Sequence, residues 1–152
     1  MRVCNLDTGE ELKDILYRFN PQRNIDAKAF AVHGITLEEL KSEPLFSAKA
    51  EAIKRVLNAS TFVCGHNIEW FDKPMLINEY ENCKIEPPEF QCFDTMVRGT
   101  FATDFGKSPN LQEFCWSLGV DYNPADAHSG SYDTRVLRDA FFEAKRLGWF
   151  VI

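Results

Sequence analysis

The run Thr61-Phe62-Val63-Cys64-Gly65 carries no charge and passes straight into His66-Asn67. Its β-branched and aromatic residues read as a buried strand. Such a strand requires apolar cover, and the flanking sequence supplies helices for it. After Pro44, apolar residues Phe46, Ala50, Ile53, Val56 and Leu57 recur at helical spacing. Lys49, Glu51, Lys54 and Arg55 face elsewhere, so the segment predicts an amphipathic helix. On the other side a helix is expected from about Phe71 to Asn82, accepting Pro74 because it falls in the first turn. The pattern is mixed α/β with a small sheet. A length of 152 residues fits one domain over residues 1–152.

The rest of the chain adds to this frame. The stretches RVCNL and ELKDILYRFNP flank DTGE, a turn with Gly9 where a positive φ is easily adopted, so they predict a hairpin. Pro21 is expected to stop its second strand. Thr36 with Glu39 is a capping box that opens a short helix at about Leu37. The QCFDTMV stretch reads as a short strand or a helix start. LQEFCWSLGV reads as a helix ended by Gly119, and a last helix is expected from about Tyr132 to Leu147, ended by Gly148. The apolar tail WFVI must pack somewhere.

The formal net charge of −6 argues against a protein whose main task is gripping duplex nucleic acid electrostatically. It allows an enzyme acting on a strand end, because clustered carboxylates that hold metals also make a chain acidic. The five cysteines form no C-x-x-C pair, and most sit in apolar surroundings. They read as reduced core thiols of a cytoplasmic protein. The start MRVCNLDTGEEL has no apolar signal core.

Chemistry concentrates in two places. His66, Asn67 and Asp72 lie where the buried strand gives way to a helix, and open α/β folds place ligands at the carboxyl ends of strands. His128 and Asp133 lie where a loop of small polar residues meets the last helix. Each residue has a plain structural reading. Asp72 and Asp133 suit helix first turns. Asn67 suits a turn or cap. Taken together, two carboxylates at helix starts, each preceded by a histidine, also suit hard divalent cations and phosphoester hydrolysis.

Three stretches carry a family resemblance. They are NPQRNIDAKAFAVHGITLEELKSEPLF, FVCGHNIEWFDKPML and HSGSYDTRVLRDAF. They resemble the DEDDh 3′–5′ exonucleases, the DnaQ-like proofreading and TREX-type enzymes. The likeness runs in the family's order from about residue 2 to residue 147. It implies a ribonuclease-H-like α/β exonuclease fold, a small mixed sheet flanked by helices. It also implies two magnesium or manganese ions held by four acids, and a histidine as general base. By resemblance Asp72 and Asp133 are metal ligands and His128 is the base. His66 and Asn67 are the supporting pair, and Trp70 and Phe71 flank the terminal nucleotide. Asp94, in FDTM, matches an Asp-Thr that looks structural. The implied partners are a single-stranded or frayed 3′ end of DNA or RNA and a polymerase or other nucleic-acid-processing complex.

The sequence departs from the family in one respect. The family's first motif, Asp-x-Glu at the end of the first central strand, supplies two of the four acids. No Asp-x-Glu occurs in the 152 residues. The expectation is that the first strand and its acids are missing, so metal binding is weakened and activity of this chain alone is doubtful. Truncation, a partner chain that supplies the strand, or a catalytically degenerate binding module would each account for it. Glu10 and Glu11 are poor substitutes, because a hairpin turn lies away from the site.

Overall fold

The computed structural model describes residues 1–152. The chain forms two compact units. One comprises Met1–Leu16, Cys64–Ile68 and Phe93–Ile152; the other comprises Tyr17–Val63 and Glu69–Cys92.

In the first unit, β1 (Arg2–Cys4) pairs antiparallel with β2 (Glu11–Asp14), with an irregularity between Val3 and Cys4. The turn is closed locally. The Asn5 side chain accepts from the backbone N–H groups of Asp7 and Thr8, and Gly9 takes φ +75° as its N–H donates to the Asn5 carbonyl. The hairpin expected from DTGE is therefore present. Its second strand stops at Asp14, well before Pro21: Ile15 still exchanges two hydrogen bonds with Met1, both at 2.8 Å, and beyond it no strand residue pairs with the chain. Glu11 accepts from both Arg2 and Arg138 at 2.6 Å. That double pairing ties the hairpin to the last helix, α7 (Gly130–Arg146), and leaves Glu11 committed to structure. Lys145 donates to the Leu6 carbonyl from the same helix.

Helix α7 begins two residues before the expected Tyr132. It buries Val136, Ala140, Phe141 and Ala144, one stripe at helical spacing. Gly148, at φ +79°, turns the chain back, and the N–H groups of Trp149 and Phe150 both reach the Ala144 carbonyl. Of the apolar tail only Phe150 is thereby buried, while Trp149, Val151 and Ile152 stay exposed. Phe150 is 5% exposed and meets Phe93 edge-on with ring centroids 4.9 Å apart; Phe101, Phe114 and Phe141 complete the cluster. Helix α6 (Leu111–Ser117) adds Phe114 and Cys115 to this core. It starts in a capping box between Asn110 and Glu113, and Gly119 lies just past its end at φ +70°.

In the second unit, α1 (Ala27–His33) starts at an Asp26 cap and ends at Gly34 in the left-handed region. Helix α2 (Leu37–Leu40) opens with the Thr36–Glu39 capping box anticipated from sequence. Helix α3 (Ala50–Ala59) buries Ala50, Ile53 and Leu57. They pack with Phe46 and the fully buried Tyr80 of α4 (Asp72–Asn82), whose hydroxyl donates to the Ala50 carbonyl at 2.7 Å. Pro74 sits in the first turn of α4, where its missing N–H leaves nothing unsatisfied. Helix α1 buries none of its residues. Its sequence therefore lacks the apolar stripe from which a helix is read.

The remaining strands, β3 (Val63–Gly65) and β4 (Cys92–Asp94), pair with each other. The small sheet is thus two separate two-stranded ladders. Helix α5 (Thr95–Arg98) follows β4 at once, so QCFDTMV is both a strand end and a helix start. No helix is long and apolar enough to cross a membrane. All five cysteines are free thiols, and burial pushes Cys115 up to about 12.

Removing the Phe150 ring should cost about 3–5 kcal/mol, the usual range for a buried Phe→Ala change. Denaturant unfolding of Phe150→Ala measures this. Truncating the exposed Val151 and Ile152 side chains to alanine should shift stability by no more than about 0.5 kcal/mol.

Candidate active site

The loop after β3 is fixed by two consecutive residues, the last of β4 and the first of α5. Asp94 is 5% exposed, and its Oδ1 accepts three backbone N–H groups: Met96 at 2.9 Å, Val97 at 3.4 Å and Asn67 at 3.0 Å. The first two cap α5. The third clamps the His66-Asn67 turn, where Asn67 adopts φ +68°, a conformation Asn tolerates better than most residues. Thr95, fully buried, donates its hydroxyl to the Gly65 carbonyl at 3.0 Å and meets His66 Nδ1 at 3.0 Å.

His66 is held from its other side as well. Its Nε2 lies 3.0 Å from the Pro109 carbonyl, an acceptor only, so Nε2 carries the proton. Nδ1 and the Gly65 carbonyl then share the single Thr95 proton. Burial holds the His66 pKa below its ordinary value; the Pro109 bond and the Asp94 charge push the other way and are outweighed. The neutral ring is a brace between three segments of backbone. Asp94, Thr95 and the Pro109 carbonyl were not singled out as partners of His66-Asn67 from sequence. The signal that could have found them is an Asp-Thr pair directly after an apolar strand.

His128 and Asp133 stand together at the start of α7. His128 is exposed and takes φ +64°, a strained conformation for this residue type. Asp133 sits in the first turn, its N–H bonded to the Ser129 carbonyl at 2.9 Å. Its Oδ1 is buried and has no hydrogen-bond partner. Burial raises the Asp133 pKa, against the opposing pull of the His128 charge and backbone N–H. A buried carboxylate oxygen with no donor is suited to a cation. The wider donor set falls short: nowhere do three His, Cys, Asp or Glu side chains gather so as to hold a metal ion. The residues of this chain therefore do not complete the cage that the family resemblance implies.

The other three candidates belong to the second unit. Asp72 is the exposed first residue of α4, so its helix-start reading stands. Trp70 is 79% exposed and Phe71 62%. Both aromatic faces are open to solvent, and Phe71 is not a core residue.

The sequence profile of the RNase_T exonuclease family matches residues 2–141. The chain belongs to this family, the DnaQ-like 3′–5′ exonucleases. It is 29% identical over 136 residues to a PolC-type DNA polymerase III of Mycoplasmopsis pulmonis, covering 90% of this chain and 9% of that protein. It is 29% identical over 133 residues to the DNA polymerase III epsilon subunit of Rickettsia felis, covering 84% of this chain and 56% of that protein. The chain thus spans little more than half the length of the second relative and under a tenth of the first. Among solved structures, exonuclease X in complex with 5′ overhanging duplex DNA superposes with TM-score 0.68 at 16% identity, over 98% of this chain and 83% of that one. Exonuclease I superposes with TM-score 0.74 at 16% identity, over 91% of this chain and 34% of that one. The fold is accordingly the ribonuclease-H-like exonuclease fold anticipated from sequence.

The half-buried His66 generates a pH dependence. The unfolded chain binds the imidazole proton more tightly than the folded one, so stability rises with pH through the window between the lowered folded value and about 6.5, the ordinary histidine value. Below that window the deficit is fully present; above it, absent. His66→Gln keeps a donor for the Pro109 carbonyl and removes the titration. Its melting temperature should fall less than the wild type's between pH 7 and pH 5. Parallel curves for the two proteins would show that His66 does not titrate differently on folding.

Proposed function

We propose that residues 1–152 act as a single 3′–5′ exonuclease domain that hydrolyses phosphodiester bonds at nucleic-acid 3′ ends and releases nucleoside monophosphates. The observation that carries the reading is the His128–Asp133 pair: an exposed imidazole beside a half-buried carboxylate, one of whose oxygens is buried and unpartnered. An imidazole is suited to take up a proton near neutral pH. In this reading His128 accepts a proton from the attacking water and the hydroxide forms a bond to phosphorus of the terminal nucleotide. The bond from phosphorus to the 3′ oxygen of the penultimate nucleotide breaks, and that oxygen takes a proton from solvent. His66 and Asn67 support the turn that precedes α4. Trp70 and Phe71 offer open aromatic faces on which terminal bases can stack.

Asp133, in the first unit, and Asp72, in the second, are each proposed as carboxylates for magnesium or manganese. Because no three ligand side chains gather, such an ion is expected to bind weakly. The proposed partners are a single-stranded or frayed 3′ end of DNA or RNA and a polymerase or other nucleic-acid-processing complex. The proposed location is the cytoplasm. The same shortage of ligands favours a second reading, in which the chain is a catalytically degenerate module that binds nucleic acid or protein within a larger complex.

A 5′-labelled single strand incubated with manganese separates the two. The first reading expects slow shortening from the 3′ end, with His128→Ala slowing it by about 10²–10⁴-fold. Shortening untouched by His128→Ala would remove His128 from the chemistry. Calorimetric titration with manganese adds a second measure. The enzyme reading expects heat that Asp133→Asn abolishes; oligonucleotide binding with neither manganese heat nor shortening would establish the binding module.

A further inference from the structure

The loop Thr103–Lys107 places one aromatic side chain where neither local backbone preference nor packing calls for it. Phe105 has φ +58° and ψ +18°, and Gly106 follows at φ +68°. The Lys107 N–H donates to the Asp104 carbonyl at 3.4 Å, closing a four-residue turn with two successive left-handed residues at its centre. Asn-Gly, Asp-Gly or Gly-Gly fits such a turn without strain, whereas a phenylalanine at the first central position is strained. The ring gains no packing in return, since Phe105 is 107% exposed relative to a reference chain. A loosely held tip does not account for the ring's position. The Thr103 hydroxyl bonds the Lys107 carbonyl across the loop. Below the tip, Phe101 stacks on Trp149 with centroids 4.7 Å apart, and the buried Pro109 gives its carbonyl to His66.

We infer that Phe105 is a base-stacking finger for a single-stranded nucleic acid, held out by the strained turn. The inference rests on the exonuclease reading for the identity of its ligand. A phenyl ring open on both faces can stack on any nucleobase. Lys107, two residues on, is exposed and paired only with Glu113 at 3.4 Å across solvent, so it is available to a phosphate of the same strand. Ala102, Thr103, Asp104, Phe105, Lys107 and Glu113 line an open cleft of about 450 Å³ beside the ring. Residues 103–107, His128 and Asp133 belong to the same unit.

The test pairs affinity with stability. A fluorescein-labelled thymidine 12-mer with phosphorothioate linkages is titrated with wild type, Phe105→Asn and Phe105→Tyr, and each protein is melted. Asparagine suits the left-handed position, so Phe105→Asn should raise the melting temperature while weakening the strand by about 5- to 150-fold. Phe105→Tyr should retain wild-type affinity. Affinity of Phe105→Asn within twofold of wild type would overturn the inference; so would failure of tyrosine to restore it, or a lower melting temperature in the asparagine variant. Shortening of an unmodified strand by wild type is followed in parallel. If shortening persists but Phe105→Asn binds normally, only the finger falls. If wild type neither binds nor shortens the strand, both readings fall.

Discussion

The buried carboxylate of Asp94 is the interaction on which the first unit's site depends. One oxygen accepts from three backbone N–H groups, two in the helix that follows it and one at Asn67. Removing it would leave buried donors without partners, which costs more than the bond itself contributes. Thr95 repeats the arrangement one residue later, joining the Gly65 carbonyl to His66. The two side chains set the exit of β3 against the start of α5, and His66 passes the constraint on to Pro109. The GHN stretch is therefore anchored by a hydrogen bond at each of its three residues.

Much of this fold was legible because its signals are local. Thr36 and Glu39 form the capping box their spacing announces, and Gly9, Gly119 and Gly148 occupy the left-handed positions their contexts call for. The Ile53 and Leu57 stripe followed from helical periodicity. What escaped was either unpatterned or non-local. Helix α1 shows no apolar stripe because it buries nothing. The early end of β2 depends on its register, since Asp14 faces Arg2, the first residue of the partner strand.

The candidate site divides the same way. That His128 and Asp133 adjoin one another follows from a five-residue spacing across a helix start. The unpartnered Asp133 oxygen does not, since it depends on what else is buried around it. Phe105 is the opposite case: FATDFGKSPN contains an evident turn, yet nothing in its letters says that the phenylalanine takes the left-handed place and the solvent. Sequence patterns record what a chain buries; a side chain held outward against both burial and backbone preference leaves no periodicity to read.

The clustering of Phe150 with Phe93, Phe101, Phe114 and Phe141 has a consequence for biosynthesis. The first unit is assembled from three separated stretches of chain, and the ring at its centre comes from the third of them. On the ribosome, its early hairpin emerges long before the phenylalanines against which the core is sealed. The core of this unit therefore closes only once its third stretch has been made, and contacts of such long sequence separation form slowly.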